Sequence, residues 1–283
     1  MTRILFAGLA LAITAIPAFA IRAMAPETPA VRAVLNPIVV IGKITAIEAD
    51  PVQAAPVPGS KETVPFKLAV LKIETALSGA GGETHLKIGF REPPTGGPRR
   101  IRPPGGFGFA PKVGLEGVFF LTPHPSGGFV VIPPMSPPLE ITGPKYKEEL
   151  AAVKKALTVV EKPTAALAAK NQPDRYFAAA VLLSKYGTAP ANATKVEREP
   201  VSADESKLLI AALLETDWTK PQPFGVPAPS ILFWKLQLGP EDGWNPAPVK
   251  GGTNVAIHFK TELQKWYAAH GEKYQVKKYV EKK

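Results

Sequence analysis

The 283-residue sequence contains no cysteine. Disulfide staples and thiolate metal sites are both excluded, so any fold must be held by its own apolar core. Histidine is scarce: only His85, His124, His258 and His270 occur. No two of them sit three or four residues apart, the spacing that places two metal ligands on one helix face. Nucleophile signatures are missing as well, with neither a nucleophile elbow nor a Ser-x-x-Lys pattern. The glycine-rich "SGAGGE" (78–83) lacks the Lys-Ser/Thr ending of a phosphate loop and leads toward a strand. Beyond residue 20 no apolar run is long enough to span a bilayer. Tryptophan and tyrosine are absent before Tyr146, so the first half carries only phenylalanine as an aromatic.

What is present begins with "MTRILFAGLALAITAIPAFA". Arg3 opens it, Ile4 to Ile16 is apolar, and Ala18-Phe19-Ala20 is a small-x-small cleavage signature. Residues 1–20 are therefore expected to be a signal peptide, which places the protein in the periplasm or outside the cell. Ala23-Met24-Ala25 is a second cleavage signature, so cutting after Ala20, cutting after Ala25 and retention as an anchor all stay open. No cysteine follows the segment, which excludes a lipid-anchored bacterial form.

The chain has 34 basic and 24 acidic residues, a formal charge of +10. For an exported protein the matching partners are an envelope polyanion, lipid head groups or a secreted protein, not nucleic acid. A basic surface serving only solubility is the competing reading.

Residues 21–36 are rich in Ala and Pro without a period and are expected to form a mobile leader. Five strands are predicted next. "IVVIGKITAIEA" (38–49) alternates after Gly42, which marks a bend or a close backbone approach. "PFKLAVLKIETA" (65–76) switches phase, predicting a β-bulge near Val70-Leu71. "HLKIGF" (85–90) turns Leu86, Ile88 and Phe90 inward. "GVFFLT" (117–122) and "GFVVI" (128–132) form a hairpin whose tip carries a solvated His124.

Helices follow. Tyr146, Leu150, Val153, Leu157 and Val160 mark an amphipathic one. "PDRYFAAAVLLSKYG" (173–187) is apolar nearly all round and is expected to be the buried central helix. "SADESKLLIAALLETDW" (202–218) opens on a capping box of Ser202 and Glu205. A last helix near 253–270 carries Val255, Phe259, Leu263 and Trp266. The expected class is α+β: a five-stranded OB-like β-barrel domain over 37–142, with a Pro/Gly/Arg insertion at 91–115, then an α-helical domain with Pro-rich loops over 143–283.

The β half, from "VVIGKITAIEAD" through "KLAVLKIETALSG" and "LKIGF" to the "GVFFLT…GFVVI" hairpin, resembles the netrin-like, tissue-inhibitor-of-metalloproteinase-like modules of secreted proteins. The whole chain resembles exported proteins of planctomycete-type bacteria. The netrin-like resemblance implies an OB-type barrel and a binder or inhibitor of a secreted enzyme. Inhibitors of that family use an N-terminal cysteine on the protease zinc; this chain has none, so the mechanism does not transfer.

Few residues carry candidate chemistry. OB-type barrels can bind oligonucleotides or oligosaccharides, but single-strand binding needs exposed aromatics among basic residues, and Phe66 and Phe90 are predicted inward. The stretch "PTGGPRRIRPPGGFGFAPK" (94–112) has no apolar period and reads as a flexible insertion, with a binding loop as alternative. Arg99, Arg100 and Arg102 with Phe107 and Phe109 are its candidate anion or partner contacts. A second basic group, including Lys273, Lys277, Lys278, Lys282 and Lys283, ends the chain. His258 and Glu262 read as a surface contact, and the paired acids Glu148-Glu149 and Asp204-Glu205 favour helix N-termini.

No catalytic residue, metal ligand or cofactor is expected. The function expected is a non-catalytic exported protein making protein or cell-envelope contacts. The alternatives are a netrin-like inhibitor or binder of a secreted enzyme, and a carbohydrate-active enzyme with a pocket lined by Trp218, Trp234, Trp244 and Trp266. At these spacings the Trp residues more often close a core under long loops.

Overall fold

In the computed structural model, residues expected to trail as a leader instead form a buried helix, α1 (Pro29–Leu35). The structure describes residues 27–57, 59–92, 109–222 and 225–282, so the expected signal peptide lies outside it. Pro29 fixes the first-turn φ of α1. Thr28 gives its hydroxyl to the Gly225 carbonyl at 2.8 Å, tying the helix start to a distant loop. Ala30, Val31, Ala33 and Val34 are all buried. A short helix covered on every side has no polar face, so periodicity cannot reveal it.

Strands β1 (Ile38–Ile47), β2 (Val52–Ala54), β3 (Val64–Ser78), β4 (His85–Phe90), β5 (Glu116–Pro123), β6 (Val130–Val131) and β7 (Leu139–Glu140) follow. Neighbours run β1-β3-β4-β6-β5, and β5 pairs back onto β1, closing a five-stranded OB-like barrel. Among the described residues only β4 and β6 run parallel; every other pair is antiparallel. The short β2 and β7, too brief to leave a pattern, add onto β3 and β5.

Val40, Ile44, Ala69, Leu71, Ile88, Phe119 and Leu121 fill the interior. On the outer face Val39, Val118 and Phe120 meet Ala33 of α1 and Val153 of the next helix. Strand β5 is thus buried on both faces, which explains its unbroken apolar run "VFFL".

The irregularity expected near Val70-Leu71 is present, but its extra residue belongs to the partner strand. Ile44 pairs with Leu71 and Ala46 with Val70, leaving Thr45 of β1 over, with its hydroxyl donating to the Val70 carbonyl at 3.2 Å. Strand β3 itself changes layer there. Phe66 and Leu68 pack with Ala54 and Phe129 beside the barrel, whereas Ala69 and Leu71 point into it. The close approach expected at Gly42 is real: a Cβ there would lie 2.3 Å from the Lys72 carbonyl oxygen.

The second half comprises α2 (Tyr146–Glu161), α3 (Pro163–Leu167), α4 (Gln172–Tyr186), β8 (Val196–Pro200), α5 (Ala203–Glu215), α6 (Pro229–Leu236), α7 (Val255–His270) and β9 (Lys277–Glu281). Helix α4 is the central one, buried continuously from Tyr176 to Ser184. Its N-cap Asn171 accepts from the Asp174 backbone N–H at 2.9 Å. In the same way Ser202 caps α5, accepting from the Glu205 N–H. Leu263 and Trp266 of α7 are buried as expected, whereas Val255 is 54 % exposed.

This half is not wholly helical. Strands β8 and β9 pair antiparallel from Val196–Glu281 to Pro200–Lys277. Their sequences, "VEREP" and "KKYVE", are dominated by charge and lack the apolar alternation that announces a strand. Nor do the halves stand apart, because α1 and α2 form the outer wall of the barrel while Ala30, Val34, Ala156 and Val159 enter the helical core.

Candidate functional site

The residues singled out in the sequence fall into three places. Arg99, Arg100, Arg102, Phe107 and Lys283 lie outside the described residues. Phe109 is no free aromatic contact: it packs against the barrel cluster. The chain after it is pinned to β1, with Gly114 donating to the Ile44 carbonyl and Ile44 to the Leu115 carbonyl, both at 2.8 Å.

The C-terminal lysines sit on or beside strand β9, where opposite charge meets them. Lys277 pairs with the mostly buried Asp242 at 3.2 Å, and Lys282 approaches Glu197 of β8 at 3.8 Å. Lys278 stands in register with Glu199. The basic group is therefore partly neutralised by Asp242 and by the glutamates of β8, which sequence distance had hidden. Lys273 contributes to a shallow depression with Arg198 and Asp242.

Histidine geometry differs from the sequence reading at one position. His124 is 6 % exposed, not solvated. Its ring stacks on Phe129 at 4.4 Å and meets Phe66 edge-on at 5.2 Å. Nδ1 accepts from the Ser126 N–H at 3.2 Å, which leaves Nε2 to donate to the Ala55 carbonyl at 3.1 Å. Burial, opposed in part by the Ala55 bond, holds this imidazole below the ordinary histidine range. His124 staples the hairpin tip to the loop after β2.

His258 and Glu262 do form a surface contact, but through a third residue. His258 Nε2 meets the Ala247 carbonyl at 2.9 Å, and Glu262 accepts the Ala247 N–H at 3.1 Å. Glu262 is also bonded by Lys265, which with that N–H holds its carboxyl below the usual range.

Other displaced groups have structural partners. Burial raises Tyr176, whose hydroxyl donates to the Pro227 carbonyl at 2.6 Å. It also raises Tyr186, which donates to Glu205 at 2.6 Å. Asp217 is pushed down to about 2 by the Thr219 hydroxyl and N–H. Among the described residues no group of three His, Asp or Glu side chains is placed to hold a metal ion. No helix among them is long and apolar enough to cross a membrane.

The tryptophans gather around Phe233. Trp218, Trp234 and Trp244 lie 6.1, 5.1 and 5.2 Å from its ring, and Trp266 lies 6.3 Å from Trp244. Three of them close a core. Trp218 donates to the Leu213 carbonyl and Trp266 to the Asp242 carbonyl, so their polar tips are satisfied inside it.

Trp234 is different: it is 62 % exposed, with its ring against Phe259 at 5.2 Å. Ile231, one turn earlier on α6, is 55 % exposed, and Val255 continues the face of Phe259 on α7. These side chains form an exposed aromatic edge. Helix α6 buries Pro229, Leu232, Phe233 and Leu236, which leaves positions 231 and 234 outside. Helical spacing within "PSILFWKL" carries that signal, but the segment has only eight residues between Pro-rich loops.

Lys235 and Lys260 follow Trp234 and Phe259 in sequence. Lys235 reaches the Thr188 hydroxyl and Lys260 donates to the Thr216 carbonyl, and among the described residues neither ammonium pairs with a carboxylate.

Compared with protein-family models and with curated proteins, the chain matches none.

Proposed function

We propose that this is a non-catalytic exported protein that adheres to the anionic surface of the cell envelope through the edge formed by Ile231, Trp234 and Val255. One observation carries the reading: an indole 62 % exposed on a basic protein, set against Phe259, with exposed Ile231 one turn earlier and Lys235 next to it in sequence. Trp prefers the boundary between water and lipid, where its apolar body and polar N–H are both accommodated. Each lysine near an anionic surface adds about 1 kcal/mol, and salt screens it. The formal charge of +10 and the leader-like residues 1–20 favour the same partner and compartment.

Co-sedimentation with vesicles tests this. Binding is expected to phosphatidylglycerol vesicles and not to phosphatidylcholine vesicles, to fade at moderate salt, and to weaken several-fold in Trp234→Ala. Binding that ignores lipid charge, or that survives the substitution, contradicts the proposal. Tight, salt-resistant capture of a secreted enzyme instead would favour the inhibitor reading.

A further inference from the structure

The helix formed by residues 29–35 has a second consequence, because its C-terminal end builds one wall of a cavity between the barrel and the helices. The cavity has a volume of about 380 Å³. Its apolar walls include Val34 of α1, Leu77 of β3, and Leu157 and Val160 of α2. A volume of this size falls in the range of about 300–1,000 Å³ typical of small-molecule sites.

Among the described residues one cation lines it. Lys185, in the last turn of α4, is half-buried, and its ammonium has no hydrogen bond or ion pair among the described residues. Lys155, Lys277 and Lys282 each meet a carboxylate, whereas the Lys185 ammonium meets none. A half-buried ammonium beside apolar walls gains most from an anion that arrives with its own apolar body. Burial holds the amine below the ordinary lysine range, consistent with a charge that lacks its counterpart. Glu161 lines the same cavity, and a second negative group on a ligand would meet its carboxylate. The combination selects one negative charge.

We propose that this cavity binds a small amphipathic monocarboxylate, with Lys185 pairing the carboxylate while Val34, Leu77, Leu157 and Val160 surround the apolar body. The cavity wall includes none of Ile231, Trp234 and Val255, although Lys235 reaches its Thr188, so loss of the edge side chains leaves the cavity in place.

Isothermal titration of the protein with sodium octanoate tests it. Saturable one-to-one binding is expected. Octanol, of equal length but uncharged, should bind at least tenfold more weakly, and octanedioate should also bind at least tenfold more weakly. Lys185→Met should weaken octanoate at least tenfold and leave octanol unchanged. Trp234→Ala should change nothing. Absence of saturable octanoate binding overturns the proposal, as does equal affinity for octanol. It is equally overturned if Lys185→Met retains octanoate or if Trp234→Ala abolishes it. The comparison among ligands uses the unaltered protein, so it decides the matter even if a variant folds poorly.

Discussion

Arg32 is a buried guanidinium, 8 % exposed, lodged between α1 and the barrel. Its Nη1 donates to the Pro137 carbonyl, its guanidinium carbon lies 4.9 Å from the Phe120 ring centroid, and its Nε has no partner. Loss of water pushes its pKa from the ordinary arginine range down to about 10, despite the favourable field of Glu149. At about 1.4 kcal/mol per factor of ten, burying the charge costs on the order of 3 kcal/mol. Against this stand one charged hydrogen bond, about 1.5–3 kcal/mol, and one cation–π contact, about 0.5–2 kcal/mol. The head group is therefore close to neutral for stability, and the stem does the holding.

Two variants separate the parts. Arg32→Met removes the charge but keeps a stem of similar length, and should unfold in urea within about 1 kcal/mol of the parent. Arg32→Ala also removes two buried methylenes of the stem, and should cost about 1.6 kcal/mol more at about 0.8 kcal/mol each. If the Met variant is as unstable as the Ala variant, the guanidinium contacts outweigh desolvation and the reasoning is wrong.

The His124 ring, neutral in the fold, should make stability pH-dependent. Its folded pKa lies below the unfolded value of 6.5, so the unfolded chain binds more protons in that window. Stability from this group should be complete above about pH 6.5 and decline as pH falls through the folded pKa. His124→Phe, which keeps the stack on Phe129, should lose that part of the slope in urea melts at successive pH values; an unchanged slope refutes the assignment. Gly42→Ala should destabilise by about 1–3 kcal/mol, because the new methyl would meet the Lys72 backbone oxygen at 2.3 Å. Gly251→Ala, with nothing within 4 Å, should stay within about 0.5 kcal/mol in the same thermal-melt comparison.

Legibility in the sequence followed the kind of surface each element presents. The amphipathic α2, the capped α4 and α5, and the five barrel strands each left a period or a cap that survives in the structure. Helix α1 left none, because it is short and covered on all sides. The pair β8–β9 was hidden because charge alternation on an exposed ribbon looks like a solvated tail.

Site residues were harder still. Val39 faces α1 while Val40 faces the barrel interior, and such layering follows from strand alternation. Pairing between distant segments does not. Nothing in "TPHPS" says that His124 will meet Ala55, and nothing in "VKKYVEKK" says that Asp242 and Glu197 will meet its lysines. The exposure of Trp234 required first knowing that residues 229–236 are helical.

The most direct test of envelope adhesion is quenching of tryptophan emission by brominated lipid in phosphatidylglycerol vesicles, comparing the protein with Trp234→Phe. Trp218 and Trp266 are buried and Trp244 is half-buried against the helical core, so most of the quenched component should come from Trp234 and should be lost in the variant. Equal quenching in both proteins, or none in either, would contradict the account.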